Sequence, residues 1–181
     1  MKKKVSAILL RLLGWKISSP FPSGIKQGIV IMAPHTSLWD FVIGRLVFNV
    51  LKKEVRFLIK KEAFFWPLGS WLKARGGIPV DRGKKNNMVE QISQLFKSHE
   101  NLYIAITPEG SRSKVHRWKR GFYYIATRAN VPIILCTLDF KKKEAYTGPI
   151  IKPSGHFKND FVLIENFFRG KVGKHPDRFN L

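Results

Sequence analysis

Apolar residues recur along this chain with two different periods. GIVIMA at 28–33, VRFLI at 55–59, GIPV at 77–80 and LYIAIT at 102–107 are short dense runs that predict strands, the first of them buried on both faces. VPIILCTLDF at 131–140 predicts the longest strand, and a last one falls near 145–151. Between these runs the spacing lengthens. Met88, Ile92, Leu95 and Phe96 recur at i, i+4, i+7 and i+8, which predicts an amphipathic helix over 86–98. Residues 37–51 and 121–130 also read as helices, and Phe157, Phe161, Ile164 and Phe168 mark one face of a helix near 157–168. The stretch KEAFFWPLGSWLKA at 61–74 is apolar and aromatic, but Pro67 must break or kink any helix there. Strands alternating with helices imply an α/β fold: residues 1–181 as a single domain, with a mixed, mostly parallel sheet flanked by helices.

The N-terminus predicts a short amphipathic helix. Val5, Ile8, Leu9, Leu12 and Leu13 share a face, with Lys2, Lys3, Lys4, Arg11 and Lys16 around them. Residues 1–20 therefore suit a segment lying in a lipid interface, or a helix packed on its own domain. Arg11 interrupts the apolar part and no A-x-A site follows, unlike a signal peptide. No run reaches the ~18–20 apolar residues that span a bilayer.

Charge changes the picture more than length does. The 181 residues, 44% of them hydrophobic, are enough for one packed core. They carry 33 Lys and Arg against 12 Asp and Glu, a net charge of +21. Such a field seeks anions: nucleic acid, an anionic membrane surface or a phosphorylated substrate. Cys136 stands alone, so no disulfide framework exists and a reducing compartment is expected.

In parallel α/β sheets, ligands bind beyond the carboxyl ends of the strands. Three such ends carry reactive residues: His35, Asp81–Arg82 and Pro108–Arg112. His35 and Asp40 are five residues apart across a predicted helix start. Asp40 could accept the imidazole Nδ1–H and leave Nε2 as a base toward a hydroxyl. Ser37-Leu-Trp-Asp40 also fits a capping box, which explains Asp40 without chemistry. TPEGSRS at 107–113 offers a Gly110 turn, the Arg112 fork and the hydroxyls of Ser111 and Ser113. It is a phosphate site or an ordinary solvated turn. GGIPVDR at 76–82 could be plain turn chemistry, yet it brings Arg82 to the same rim.

Other chemistries find no support. The chain has no G-x-S-x-G, Walker A, G-x-G-x-x-G or H-E-x-x-H motif, and no Cys/His cluster with metal spacing. Cys136 lies inside a strand run and belongs to the core. His99, His116, His156 and His175 have no carboxylate at close spacing and read as surface residues.

Taken together, four blocks resemble one family. His35-Thr-Ser-Leu-Trp-Asp40 resembles the H-x4-D motif of the PlsC-like glycerolipid acyltransferases, the 1-acylglycerol-3-phosphate acyltransferases and their lysophospholipid relatives. GGIPVDR resembles the second block, TPEGSRS the third and VPIIL the fourth, in the family's order, and Lys119-Arg-Gly121 resembles the basic-Gly step before the last. The similarity covers a core of about residues 28–140.

The resemblance implies roles. His35 would be the general base and Asp40 would orient it, with the substrate alcohol in the place of a triad serine and no acyl-enzyme. Arg82 and Arg112 would hold the acceptor's phosphate, in a pocket shaped by Glu109, Gly110 and Ser111. The donor would be an acyl carrier protein or CoA thioester, with no cofactor and no metal. The acceptor would be a lysophospholipid, foremost 1-acylglycerol-3-phosphate, or another lyso-lipid such as a lyso amino-acid lipid. The protein would sit peripherally on the anionic cytoplasmic face of the cell membrane. FFWPLGSWL at 64–72 becomes a membrane-dipping or acyl-channel element, or else plain core. From another class, a basic nucleic-acid-binding module would fit an isoelectric point near 10.4, but no RRM, KH or helix-turn-helix signature appears and no nucleic acid is expected.

Overall fold

The computed structural model describes residues 2–81 and 85–181. Seven strands form one sheet: β1 (Lys16–Ile17), β2 (Gln27–Met32), β3 (Val55–Lys60), β4 (Gly77–Val80), β5 (Leu102–Ile106), β6 (Ile133–Asp139) and β7 (Glu144–Ile151). Their order is β1-β7-β6-β2-β5-β3-β4, and every neighbouring pair is parallel except β6 with β7. The helices are α1 (Lys2–Leu12), α2 (Trp39–Val50), α3 (Leu68–Ala74), α4 (Lys85–Ser98), α5 (Gly121–Ala129) and α6 (Phe157–Phe168). The expected architecture is present.

Alternation along the central strand β2 divides the core in two. Ile29 and Ile31 point to a layer built from Ile92 and Phe96 of α4, Phe122 and Ile125 of α5, and Ile164 and Phe168 of α6. Val30 points the other way, toward Phe48 of α2. On another face of α2, Ile43 and Val47 meet Leu10 of α1, Trp15, and Leu138 and Ala145 of β6 and β7. Sheet faces covered by helices on both sides explain why β2 and β6 read as continuous apolar runs.

Two expectations need correction. The longest strand is β7, with 8 residues against 7 in β6. All seven residues of β6 are buried, whereas Glu144, Tyr146, Thr147, Gly148, Pro149 and Ile150 of β7 are not, so its apolar signal is diluted. The segment 64–72 is not core. Phe65, Trp66, Leu68 and Trp71 are exposed, Trp66 by 87%, and only Gly69 is buried. Pro67 does divide the stretch, into a single 3₁₀ turn at Lys61–Ala63 and the 7-residue α3. A helix that short, beside the edge strand β4, has too little sheet beneath it to cover its rings.

The chain also does something the periodicity did not announce. After α6 it returns across the end of the sheet, where the amide of Phe140 donates to the carbonyl of Val172 at 2.8 Å. It finishes with Phe179 packed near Trp118.

Candidate active site

The strand β2 ends at Met32, and Pro34, lacking an N–H, cannot extend its ladder. The next four residues turn sharply into α2, and this turn is organised by one atom. Asp40 Oδ2 accepts the amide of Thr36 at 2.7 Å, the amide of Ser37 at 2.9 Å, and lies 3.1 Å from His35 Nδ1. The position suits an anion, because the first turn of a helix presents unpaired N–H groups and the positive end of its dipole. Capping and imidazole orientation are therefore the same interaction. Half of the capping box is present: Asp40 reaches back to Ser37, while Ser37 Oγ accepts from Trp39 rather than from Asp40.

Burial separates the two partners. The Asp40 side chain is 7% exposed and that of His35 is 22% exposed. An imidazole donating Nδ1–H to a buried carboxylate keeps its lone pair on Nε2, the form needed in a base. A cation formed on that ring has a counter-charge already in place.

The third block arrives by strand pairing. β2 and β5 are parallel neighbours with Ile31 opposite Ile106, so their carboxyl ends emerge side by side. Glu109 then turns inward and its Oε1 accepts the His35 amide at 2.8 Å. Only 4% exposed, Glu109 has its pKa pushed up to about 7, chiefly by burial, against the pull of the His35 amide and imidazole. Its carboxyl ties the third block to the first rather than facing solvent. Among the described residues, Glu109 Oε2 and Asp40 Oδ1 are buried without a hydrogen-bond partner.

Gly110 follows with φ +68°, and its amide closes a tight turn on the Thr107 carbonyl at 3.0 Å. A Cβ there would lie 2.6 Å from Lys119 Nζ, so the lysine side chain lies directly over the turn. Lys119 is held there by its own amide, which donates to the Pro108 carbonyl at 2.8 Å. Ser111 Oγ bonds within the loop to Ser113, and Ser111 and Arg112 are exposed. The structure thus brings His35, Asp40, Glu109 and Gly110 together and sets Ser111 and Arg112 on the same loop. Val80 ends β4 on the same rim, two strands beyond β5; Arg82 lies outside the described residues. Sequence reasoning missed Thr36, whose amide is the shortest of the three contacts to Asp40 Oδ2.

A family model described as Acyltransferase matches residues 16–139, which include every residue of this constellation. The chain belongs to the acyltransferase family. Among relatives of this acyltransferase, a 1-acyl-sn-glycerol-3-phosphate acyltransferase from Cocos nucifera is 28% identical over 134 residues, 68% of this chain. That stretch is 42% of the coconut protein, so the chain spans less than half the length of this relative. The fold is similar to the crystal structure of the 1-acyl-sn-glycerophosphate (LPA) acyltransferase PlsC from Thermotoga maritima. The TM-score is 0.66 at 17% identity, covering 93% of this chain and 76% of the other.

On the α2 side of the His35–Asp40 pair the surface is apolar. Leu38, Trp39, Phe41 and Val42, which flank Asp40, are all exposed. On α1 the apolar stripe Val5, Ile8, Leu9, Leu12 and Leu13 is exposed as well, while the adjoining face packs: Leu10 is buried and Ser6 Oγ accepts from Asn49 of α2 at 3.1 Å. The reading as a helix packed on its own domain holds for the face of Ser6 and Leu10, and the apolar stripe stays exposed. Among the described residues, no helix is long and apolar enough to cross a membrane, and no group of three His, Cys, Asp or Glu side chains is placed to hold a metal ion.

Proposed function

We propose that this acyltransferase moves a fatty acyl group from an acyl thioester, carried by acyl carrier protein or CoA, to the free hydroxyl of a lysophospholipid. The foremost acceptor is 1-acylglycerol-3-phosphate, giving phosphatidic acid. The observation that carries this reading is the His35–Asp40 pair, locked by the amides of Thr36 and Ser37 at a strand end. His35 Nε2 takes the hydroxyl proton as the oxygen attacks the thioester carbonyl carbon. The tetrahedral intermediate collapses, the carbon–sulfur bond breaks, and the imidazolium returns the proton to the departing thiolate. Asp40 stabilises the ring while it is charged, and no acyl-enzyme forms.

Arg112, exposed on the neighbouring loop, meets the acceptor's phosphate, with Lys119 at the Gly110 turn close by and Arg82 joining from the second block. The exposed Leu38, Trp39, Phe41 and Val42 beside Asp40 suit an acceptor that brings acyl chain with it. The exposed stripe of α1 and the +21 charge favour a peripheral position on an anionic membrane, on its cytoplasmic face.

The test is transfer of a labelled acyl group from acyl carrier protein or CoA to lysophosphatidate. Wild type forms labelled phosphatidic acid, and His35→Ala lowers the rate by about 10²–10⁴. Full activity in His35→Ala, or no product with any lyso-lipid acceptor, overturns the proposal.

A further inference from the structure

The residues behind the catalytic loop come from the far end of the chain, outside the stretch that the family model matches. Thr36 is fully buried, and its Oγ1 accepts the amide of His175 at 3.1 Å. Gly173 is buried against the same residue. A Cβ on Gly173 would lie 2.7 Å from Thr36 Oγ1, 2.9 Å from Thr36 Cγ2 and 3.0 Å from Pro34 Cβ. A threonine side chain is stiff at its one torsion and this one is fully buried, so the close approach requires glycine. Beside it, Lys174 Nζ sits 4.8 Å from the centre of the Trp39 ring, in the first turn of α2.

This segment is anchored on both sides. Upstream, Phe168 is fully buried, and the Val172 carbonyl accepts the Phe140 amide at 2.8 Å. Downstream, Phe179 lies against Trp118, next to Lys119 of the basic-Gly step. Thr36 in turn makes the shortest contact to Asp40 Oδ2, the oxygen that orients His35. The sequence of contacts is unbroken: His175 amide and Gly173 hold Thr36, Thr36 holds Asp40, and Asp40 holds the imidazole.

We propose that residues 172–175 are a positioning strap for the His35–Asp40 pair, with Gly173 and the His175 amide as its contact points on Thr36. The strap touches no reacting atom and acts through Thr36. This inference rests on His35 serving as the base, and it supplies what that base needs: a fixed tautomer and a fixed ring position. Sub-ångström misplacement of a catalytic group commonly lowers turnover without weakening substrate binding.

Three variants of the full chain test it: Gly173→Ala, which drives a methyl group into Thr36; Thr36→Val, which removes the acceptor with little change of shape; and Thr36→Ser, which restores it. Each is assayed for acyl transfer, for thermal unfolding, and by ring ¹⁵N chemical shifts of His35, which report its tautomer without any substrate. Gly173→Ala and Thr36→Val should lower kcat about 10–100-fold at unchanged KM. Both should move His35 from the Nδ1–H toward the Nε2–H tautomer, and Thr36→Ser should reverse the loss seen with Thr36→Val. Unchanged kcat and tautomer in folded Gly173→Ala and Thr36→Val overturn the strap, and so does a fall in melting temperature alone. If Gly173→Ala does not fold, the Thr36 pair decides between these outcomes. A wild type that transfers no acyl group overturns the proposed reaction instead, and the tautomer shifts still report on the strap.

Discussion

At the residue scale, two carboxylates share one imidazole-bearing loop and are given different work by their surroundings. Asp40 Oδ2 is surrounded by donors: two amides and the His35 ring. Glu109 receives one amide and is otherwise buried, which raises its pKa to about 7. A carboxyl with an ordinary value of 4.5 that titrates near 7 when folded holds a proton that the unfolded chain has already released. Between those values the folded state binds more protons, so stability falls as pH rises from about 4.5 to about 7, by on the order of 3 kcal/mol. Glu109→Gln keeps the carbonyl acceptor for the His35 amide and cannot ionise. Denaturant unfolding at both ends of this window should show wild type losing more stability with rising pH than the variant. Equal losses would mean that Glu109 is not protonated in the fold. The His35–Asp40 spacing was legible because a five-residue step across a helix start leaves few other partners. The inward turn of Glu109 was not, because PEG beside an arginine reads as a loop facing its ligand. Its actual target is a backbone amide, which has no sequence signature.

At the scale of elements, period and punctuation were nearly sufficient. The helix expected near 157–168 is α6 at Phe157–Phe168, and Pro67 stands at the start of α3, after the 3₁₀ turn at Lys61–Ala63. What the pattern could not assign was which face of α1 would be covered. Its apolar stripe is the natural candidate for packing, yet Leu12 is 78% exposed while Leu10 and Ser6, on the adjoining face, are buried. The choice belongs to α2, where Asn49 offers an amide to Ser6 and where Ile43 and Val47 leave space for Leu10. Sequence periodicity carries no information about that partner. The division predicts opposite outcomes for neighbouring leucines. Leu10→Ala opens a cavity and should lower unfolding free energy by about 2–5 kcal/mol, whereas Leu12→Ala should change it by less than about 0.5 kcal/mol. Similar losses at both positions, measured by denaturant titration, would contradict the packing described here.

For the molecule as a whole, alternation of strands and helices made the parallel sheet legible, because few other arrangements bury runs such as β2 and β6 on both faces. The return of residues 169–181 to the rim of the first block was not legible: it depends on contacts between residues about 140 positions apart, such as His175 with Thr36. The same layer of the fold, α1 and α2, leaves Ile8, Leu12, Leu38 and Trp39 exposed on a chain of net charge +21. Apolar exposure and positive charge make separable contributions to membrane binding. Burial of the stripe is insensitive to salt, while attraction to anionic headgroups weakens as the Debye length contracts from about 14 Å to about 4 Å between 0.05 and 0.5 M salt. Sedimentation with vesicles should therefore show binding to phosphatidylglycerol-rich bilayers that falls with salt, and weak binding to pure phosphatidylcholine. Ile8→Glu with Leu12→Glu should abolish the salt-resistant part and leave the fold intact, since neither side chain packs inward. If the double variant binds vesicles as wild type does, α1 is not the element that meets the bilayer. If the protein ignores vesicles but binds single-stranded nucleic acid with a steep salt dependence, its charge serves a different partner altogether.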